Sequence, residues 1–484
     1  MSIHFSNSYA RLPERLFARM PPADFPAPEM VRLNHALADR LGLDGAALDT
    51  PGGAAILAGV KTPDGAEPLA MAYGGHQFGN WVPQLGDGRA VLLGEVVAPD
   101  GARFDIHLKG SGRTPYSRGG DGKAVLSAVL REYIISEAMH ALGIPTTRTL
   151  AALTTGERVM RDGLEPGAVL ARVAASHIRV GTFQFLYARR DNEGLQALMD
   201  HVIARHYPHL AGDATPALSL LRAVMDRQAE LVAQWMQVGF IHGVMNTDNV
   251  SIAGETIDYG PCAFMDNYHP STVFSSIDHQ GRYAWGNQPK MAHWNLAQFA
   301  QSLLPLIDGD PEQAAAKAQD VLDGFGPLFE AAYFRKFSAK IGLSDINETS
   351  RGLASDLLTL MADGQVDFTL AFASLTRAVE TGDFTAFEAL FADKPAFKEW
   401  LDAWRAAGGQ GHGAAAIMRA ANPVFIPRNH RVEAALTAAN QGDFAPFETL
   451  LTVLARPYDD QPENSEFEAP PKPEEVVQAT FCGT

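Results

Sequence analysis

The stretch FIHGVMNTDNVSIAGETIDYGP, residues 240–261, decides how the rest of the chain is interpreted. It contains a loop that begins at His242 and ends in Asp-Asn at 248–249, followed by Asp-Tyr-Gly at 258–260. The carboxylate of Asp258 and the amide oxygen of Asn249 are hard oxygen ligands, a pairing that suits Mg²⁺ or Mn²⁺ and not zinc. The stretch therefore predicts a loop that binds a divalent metal ion.

The same spacing occurs in protein kinases, which hold the metals of ATP with the Asn of H-R-D-x-x-x-x-N and the Asp of D-F-G. His242 and Asn249 match the two ends of that loop, and Asp258 takes the place of the D-F-G aspartate. The position of the catalytic aspartate is filled by Val244, whose side chain cannot accept a proton. Transfer of a γ-phosphoryl group by the kinase mechanism is therefore disfavoured.

The composition is that of a globular protein with a large core. Of the 484 residues, 46% are hydrophobic and 20% are charged, and the formal net charge is −17. This charge argues against general nucleic-acid binding, although a few local cations suffice to bind a nucleotide in a pocket. There is neither an apolar run of membrane-spanning length nor an apolar signal segment. Two cysteines exclude a disulfide framework and a Cys-based zinc site, and we expect a cytoplasmic protein without a membrane or nucleic-acid partner.

The pattern along the chain changes from strands to helices. Short apolar runs alternate with Gly-rich turns from Ala70 to Leu108, which predicts antiparallel strands, and residues 122–143 predict a strong helix. A further helix is predicted near Glu29–Leu41, and helical periodicity dominates beyond about residue 195. We predict an α+β, protein-kinase-like two-lobed fold with a sheet-rich N-lobe, a helical C-lobe and extra helical segments at both ends. The predicted divisions are an N-terminal extension (1–65), the N-lobe (66–160), the C-lobe with the metal loop (161–310), a C-terminal helical region (311–455) and an acidic flexible tail (456–484).

Other parts of a kinase site occur in the expected order. QLGDGRAVLLGE (84–95) contains a Gly turn, Lys109 ends an apolar strand, and the following helix offers Glu132 and Glu137. These two glutamates lie roughly 140° apart around a helix, so only one of them can face Lys109. We predict Glu132 as the partner, with Glu137 as the alternative. The turn alone fits an ordinary hairpin and Lys109 alone fits a surface lysine, and the common order of the parts is what favours a nucleotide site.

Longer blocks of the sequence resemble the selenoprotein O family, protein adenylyltransferases that have been described as pseudokinases. These blocks extend over about residues 70 to 440. They include YGGHQFGNWVPQLGDGRAVLLGE, HLKGSGRTPYSRGGDGKAVLSAVLREYIISEAMHALGIPTTR, VLARVAASHIRVGTFQF, GFIHGVMNTDNVSIAGETIDYGP, DHQGRYAWGNQP and NPVFIPRNHRVEAAL.

This resemblance implies that ATP binds in a flipped orientation that exposes its α-phosphate. The implied reaction is AMP transfer to Ser, Thr or Tyr hydroxyls of protein substrates, with release of pyrophosphate. Asp248 would be the proton acceptor, Asn249 and Asp258 would bind Mg²⁺ or Mn²⁺, and Glu132 would support Lys109. The implied nucleotide contacts are Gly86, Gly88, Arg89, Lys109, Asp121, Gly122, Arg172, Arg179 and Asp258.

The charges agree with these roles, because Lys109, Arg172, Arg179 and a divalent cation can offset the roughly four negative charges of a triphosphate. Without the neighbouring motifs, Arg172 and Arg179 would be read as surface ion-pair residues. Two other functions stay open at this point. One is the transfer of UMP from UTP, and the other is a nucleotide-binding scaffold without turnover.

The two cysteines suggest a possible redox pair, since Cys262 lies four residues after Asp258 and Cys482 lies near the C-terminus. Members of the family often carry selenocysteine or cysteine near the C-terminus, and Cys482 resembles that feature. The simpler interpretation is a buried small side chain at 262 and an ordinary thiol at 482. The sharper hypothesis is a reversible Cys262–Cys482 disulfide that holds the tail across the active-site mouth.

Overall fold

The computed structural model describes residues 3–21, 23–161, 163–478 and 480, which form a mixed α/β structure around an antiparallel sheet. The strands of this sheet follow the order β1-β3-β6-β7-β10-β9-β2, and β8 pairs with β10. Two further strand pairs, β4–β5 and β11–β12, lie outside it. The strands are β1 Phe17–Arg19, β2 Glu29–Leu33, β3 Leu69–Met71, β4 Gly75–Gln77, β5 Asn80–Val82, β6 Ala90–Val97, β7 Arg103–Lys109, β8 Ala124–Val125, β9 Arg148–Met160, β10 Leu164–Ala174, β11 Phe240–Ile241 and β12 Ala263–Phe264.

Helices precede, cover and follow the sheet. Within the described residues, none of them is both long enough and apolar enough to cross a membrane. The helices are α1 His35–Arg40, α2 Gly45–Leu48, α3 Pro51–Leu57, α4 Leu126–Ala141, α5 Val180–Tyr187, α6 Asn192–His206, α7 Pro216–Gln237, α8 Gln288–Ile307, α9 Pro311–Leu322, α10 Phe325–Lys340, α11 Glu348–Asp363, α12 Phe368–Thr381, α13 Thr385–Ala389, α14 Lys394–Ala406, α15 Ala414–Ala421, α16 Asn429–Asn440 and α17 Ala445–Leu454.

One face of the sheet is covered by apolar side chains and the other carries polar contacts, as strand β7 shows. Side chains alternate between faces along a strand. Ile106 and Leu108 belong to an apolar cluster with residues of α1, α2 and α3, so their side chains point to the outer face, which these helices cover. His107 and Lys109 therefore point to the inner face, where they meet polar partners.

Helix α4 carries Glu132 and is buried on most of its surface, because it packs between the inner face of the sheet and the C-terminal helices α16 and α17. The helix ends at Ala141, two residues before the predicted stop signal Gly143, which has a φ of +77°. The backbone N–H of Gly143 donates to His140 O at 2.9 Å and closes the last turn. The length and burial of α4 fix the position of Glu132 relative to the sheet.

The N-terminal prediction is partly wrong. Glu29–Leu33 forms strand β2 and not a helix, because it pairs with β9 in a register that places Met30 opposite Leu153. The helix begins only at His35, where the side chain of Asn34 accepts a hydrogen bond from Leu37 N at 3.0 Å. Strands β1 and β2 form the two ends of the sheet path, so the predicted extension is part of the sheet.

The prediction of a flexible C-terminal tail is also wrong for residues 456–478 and Thr480, which lie against the rest of the protein. The guanidinium of Arg377 pairs with Asp460 and Glu468, each at 2.9 Å, and Glu468 O accepts from Arg428 Nε at 2.9 Å. Farther along, Thr480 N donates to Ser276 Oγ at 2.9 Å. Two of the acidic residues of this segment, Asp460 and Glu468, are thus bound by an arginine of the helical region.

Candidate active site

Five charged side chains meet at the inner face of the sheet, and we call them the charged cluster. They come from distant parts of the sequence: two strands, helix α4, the residue before α5 and the loop after β11. Three are cations and two are carboxylates, which leaves one excess positive charge suited to an anionic ligand. The members are Lys109, Glu132, Arg172, Arg179 and Asp258.

Asp258 is the centre of this cluster. Lys109 Nζ lies 3.2 Å from its Oδ1, Arg172 Nη1 lies 2.6 Å from the same oxygen, and Arg179 pairs with Oδ2. Burial alone would raise the pKa of Asp258, but the charges of these three cations outweigh it and hold that pKa well below its usual range. Asp258 is therefore ionised at neutral pH, and 21% of its side chain is exposed.

Glu132 is the second carboxylate of the cluster. Its Oε2 lies 2.5 Å from Lys109 Nζ, and its Oε1 lies 3.2 Å from Arg172 Nη1. Glu137, the alternative from the sequence, instead pairs with Arg148 at 2.6 Å. The structure thus brings Glu132, and not Glu137, to Lys109.

The backbone around Asp258 is held in an unusual conformation. Asp258 has a φ of +62°, in the left-handed region that few non-glycine residues adopt. The preceding carbonyl, Ile257 O, lies 2.9 Å from Nε2 of the buried His242. Because Val244 N donates to Nδ1 of the same ring, Nε2 carries the proton and donates to Ile257 O. His242 therefore holds the two loops together through both of its ring nitrogens.

The predicted metal loop lies directly beside the cluster. Asn249 Nδ2 donates to Val244 O at 3.0 Å, which fixes the amide, and Arg179 Nη1 reaches Asp248 O at 2.5 Å while also binding Asp258. The described residues contain no group of three or more His, Cys, Asp or Glu side chains that could bind a metal. A site with one amide and one carboxylate ligand fits Mg²⁺, which usually keeps several waters and takes substrate phosphates as further ligands.

Asp248 is buried, and one of its two carboxylate oxygens is unpaired among the described residues. Gln77 Nε2 lies 3.4 Å from its Oδ2, whereas Oδ1 has no hydrogen-bond partner among the described residues. Burial raises the pKa of Asp248 to about 6, although the charge of Arg179 opposes that shift. A carboxylate with a raised pKa and an unoccupied oxygen beside a phosphate-binding cluster has the properties of a general base.

The hairpin of β4 and β5 packs on the metal loop, a contact that no sequence pattern indicated. His76 N donates to Thr247 Oγ1 at 2.7 Å, and Phe78 N donates to Asn246 Oδ1 at 2.9 Å. Gln77 lies between them on β4 and thereby reaches Asp248. The signal that could have found Gln77 is its place in the block YGGHQFGN, although that block says nothing about contact with the loop.

The Gly turn and the loop before α4 are positioned mainly by their contacts with each other and with neighbouring strands. A Cβ on Gly86 would lie 2.4 Å from Tyr116 Cγ, and one on Gly88 would lie 2.9 Å from Tyr116 O. These glycines therefore permit close packing on residues 113–118. Arg89 follows them, and its carbonyl accepts from Gly110 N at 2.6 Å.

Asp121 and Gly122 lie on the loop that joins β7 to β8. Asp121 pairs with Arg161 at 2.9 Å, an interaction that lowers the pKa of Asp121 to about 2. Gly122 O accepts from Gly112 N at 3.0 Å, so two glycines of this loop approach each other closely. Asp121 is thus engaged by an arginine outside the charged cluster.

The structure describes only one of the two cysteines of the predicted redox pair. Cys262 is fully buried, and its carbonyl accepts from Arg131 Nη2 at 2.6 Å. Cys482 lies outside the described residues. The burial of Cys262 agrees with the simpler interpretation of that residue as a small core side chain.

Comparisons with known proteins agree over the length of the chain. The family model described as protein adenylyltransferase SelO matches residues 1–455. A protein nucleotidyltransferase YdiU of Rhodopseudomonas palustris strain BisB5 is 58% identical over 492 aligned residues that cover 100% of both chains. Proteins of the same name are 58% identical in a strain of Methylorubrum extorquens, over 99% of both chains, and 57% identical in a strain of Bradyrhizobium, over 100% of both chains.

Proposed function

The chain belongs to the SelO family of protein adenylyltransferases and is an enzyme that transfers nucleotides, and we propose that it transfers AMP from ATP to hydroxyl groups of proteins. The proposed acceptors are Ser, Thr and Tyr side chains, and pyrophosphate is the other product. The observation that carries the proposal is the position of Asp248, a buried carboxylate with one oxygen unpaired among the described residues, beside a cluster that has an excess of positive charge. We further propose that the sheet and helices form a kinase-like pair of lobes around this site.

The cations of the cluster would bind the triphosphate. Lys109, Arg172 and Arg179 are already held in fixed positions by Asp258 and Glu132, so little ordering is needed when a phosphate binds. Guanidinium groups donate two parallel hydrogen bonds to phosphate oxygens, which gives geometry as well as charge. In the proposed flipped orientation, these residues hold the β- and γ-phosphates and leave the α-phosphorus accessible.

Asp248 would accept the proton of the attacking hydroxyl. The hydroxyl oxygen forms a bond to the α-phosphorus, the bond from that phosphorus to the bridging oxygen breaks, and pyrophosphate leaves with the bonding electrons. The hydroxyl proton moves to the carboxylate of Asp248. A base positioned in this way contributes about 10²–10⁴ in rate.

Asn249 and Asp258 would hold the divalent cation, Mg²⁺ or Mn²⁺, which when bound neutralises charge on the transferring phosphate. The amide of Asn249 is oriented by Val244 O, and Asp258 is oriented by the two arginines. Gly86, Gly88, Arg89, Asp121 and Gly122 are proposed to contact the nucleotide from the Gly turn and from the loop before α4. Their support is the family resemblance.

Labelled nucleotides test the proposal directly. Protein labelling from ATP that carries the label at the α-phosphate, with none from the γ-phosphate, is the expected result. Label from the γ position would instead identify a kinase. Binding of ATP without any label on protein would identify a scaffold.

UTP is the competing donor, because the names of the relatives specify nucleotide transfer without naming the base. Label from α-labelled UTP that exceeds label from ATP at equal concentration would replace AMP by UMP in the proposal. The same assay with Mg²⁺ and with Mn²⁺ would identify the metal that supports the faster transfer.

A further inference from the structure

A buried imidazole connects the charged cluster with the Gly turn. His107 lies two residues before Lys109 on β7, faces the same side of the sheet and is fully buried. Its Nδ1 lies 3.2 Å from Nη2 of Arg172, and its Nε2 lies 3.0 Å from Oδ2 of Asp87. Asp87 is the residue between the two glycines of the Gly turn, and it too is buried.

The partners of His107 determine its protonation. A guanidinium group can only donate hydrogen bonds, so Nδ1 of His107 must be the acceptor from Arg172. The ring proton is then on Nε2, where it is donated to the carboxylate of Asp87. Burial, assisted by the charge of Arg172, lowers the pKa of His107 despite the opposing charge of Asp87. The ring is therefore neutral, with one fixed tautomer.

Both ends of this connection are anchored. Asp87 Oδ2 also accepts from Met71 N at 3.0 Å, and Asp87 O accepts from Thr114 Oγ1 at 2.6 Å. At the other end, Arg172 Nη1 reaches Asp258 at 2.6 Å. The His177 ring stacks on His107 with a centroid distance of 4.1 Å and limits its rotation.

The continuous path Asp87–His107–Arg172–Asp258 thus joins the Gly turn to the proposed metal ligand. We propose that His107 is a positioning residue of the nucleotide-transfer reaction. Its Nδ1 accepts from Arg172 and orients that guanidinium toward the phosphates. Its Nε2 donates to Asp87 and fixes the distance between the Gly turn and Arg172. This inference rests on the proposed function of the site.

A purely packing role for His107 makes a different prediction from a positioning role. If the ring only fills space, any substitute of similar size would change activity in proportion to the loss of stability. If the ring positions two separate groups, its two nitrogens can be tested separately. An asparagine amide overlies Nδ1 of a histidine, and a glutamine amide overlies Nε2.

His107→Asn retains an acceptor for Arg172 and loses the donor to Asp87, whereas His107→Gln retains the donor and loses the acceptor. We expect His107→Gln to lower kcat about tenfold and to raise the metal concentration needed for half-maximal activity, because Arg172 is no longer oriented. We expect His107→Asn mainly to raise KM for ATP, by about tenfold, because the Gly turn is released. His201→Gln is the matched control, since His201 is a partly buried imidazole on α6 outside this path.

The experiment combines steady-state kinetics, calorimetric binding of ATP with and without Mg²⁺, and thermal unfolding. The expected result is a lower kcat in His107→Gln and a higher KM for ATP in His107→Asn, at similar melting temperatures. Identical profiles that follow the loss in melting temperature, or two variants as active as His201→Gln, would overturn the inference. If the wild type binds ATP but transfers nothing, the proposed function fails, and the difference in ATP and metal binding between the two variants still decides the role of His107.

Discussion

Gln77 Nε2 lies 3.4 Å from Oδ2 of Asp248, although the two residues are 171 positions apart in the sequence. The contact exists because the β4–β5 hairpin packs on the metal loop: the backbone N–H groups on either side of Gln77 donate to side-chain oxygens of that loop. Gln77 donates to one oxygen of the proposed base, and the other oxygen has no partner among the described residues. A hairpin distant in sequence thus helps to orient the Asp248 carboxylate.

We expect Gln77→Ala to reduce AMP transfer while ATP binding is retained, because the carboxylate of Asp248 loses its orienting donor. A loss of about tenfold in kcat would be in the range for such supporting residues. Gln77→Glu should be more damaging than Gln77→Ala, because a second carboxylate would face Asp248. Equal activities of these two variants and the wild type would show that the contact has no catalytic role.

Asp248→Asn should lower transfer by about 10²–10⁴ with nucleotide affinity largely unchanged, since its proposed partner is the hydroxyl and not the nucleotide. Single-turnover labelling and ATP titration separate these two quantities. Asp310→Asn, which alters a carboxylate that accepts backbone N–H groups at the start of α9, serves as the control. A parallel fall in ATP affinity would assign Asp248 to binding instead.

Asp258→Ala and Asn249→Ala should each lower transfer by at least about 100-fold, because each removes one proposed ligand of the metal. Metal titration of the residual activity should show a higher requirement in both variants. Asp258→Ala should also destabilise the fold more than Asn249→Ala, since it leaves Arg172 and Arg179 without their common carboxylate. Near-normal transfer by Asp258→Ala at saturating Mg²⁺ would contradict the assignment.

Arg179→Lys should lower transfer at least about tenfold, although it preserves the charge. The guanidinium of Arg179 contacts Asp258 and Asp248 O together, which a single ammonium group on a flexible stem cannot reproduce in the same geometry. Arg189→Lys is the matched control, because Arg189 Nη1 donates to Phe185 O on the neighbouring helix, away from the cluster. Full activity of Arg179→Lys would reduce its role to that of a point charge.

Glu255 should make stability depend on pH. Burial raises its pKa to about 7, with a smaller contribution from Asp105, while its contact with Ala175 N and the charges of Arg205 and Arg227 oppose the shift. The folded state therefore binds the proton more tightly than the unfolded state does. The stabilisation from this group is complete below the ordinary glutamate pKa of about 4.3 and is lost as pH rises to about 7.

Glu255→Gln should remove this dependence and stabilise the protein by up to about 3 kcal/mol above about pH 7. Urea unfolding of both proteins between about pH 5 and about pH 8 measures the effect. A wild-type stability that rises relative to Glu255→Gln over this interval would show that the carboxylate is stabilised in its ionised form.

The sequence was sufficient to predict residues whose type and spacing are dictated by chemistry. Only a few kinds of site have the sequence separations found between Lys109 at the end of a strand, Glu132 on the following helix and Asp258 after the His-led loop. In the structure, Lys109 contacts both Glu132 and Asp258. The strands and the helix between Ala70 and Gly143 could also be predicted, because apolar residues recur with different periods in strands and in helices.

The residues that escaped prediction act through tertiary contacts. His107 occupies a strand position that any buried residue could fill, and its role is visible only once Asp87 and Arg172 lie on either side of it. Residues 29–33 have no pattern that distinguishes a helix start from an edge strand, and pairing with β9 decides the outcome. The acidic C-terminal segment was misjudged because its arginine partners lie far from it in sequence.

The placement of β1 and β2 has a consequence for self-association. The first 33 residues supply the strands at both ends of the sheet path, so the neighbouring strands β3 and β9 are each covered on their outer side. An uncovered strand presents a row of unpaired N–H and C=O groups and can template pairing with another chain. The strands at the two ends are short, three residues in β1 and five in β2, and short edge strands limit such pairing. In a protein shortened to begin after Leu33, the 13-residue strand β9 would become the edge at one end, and we expect such a protein to self-associate more readily.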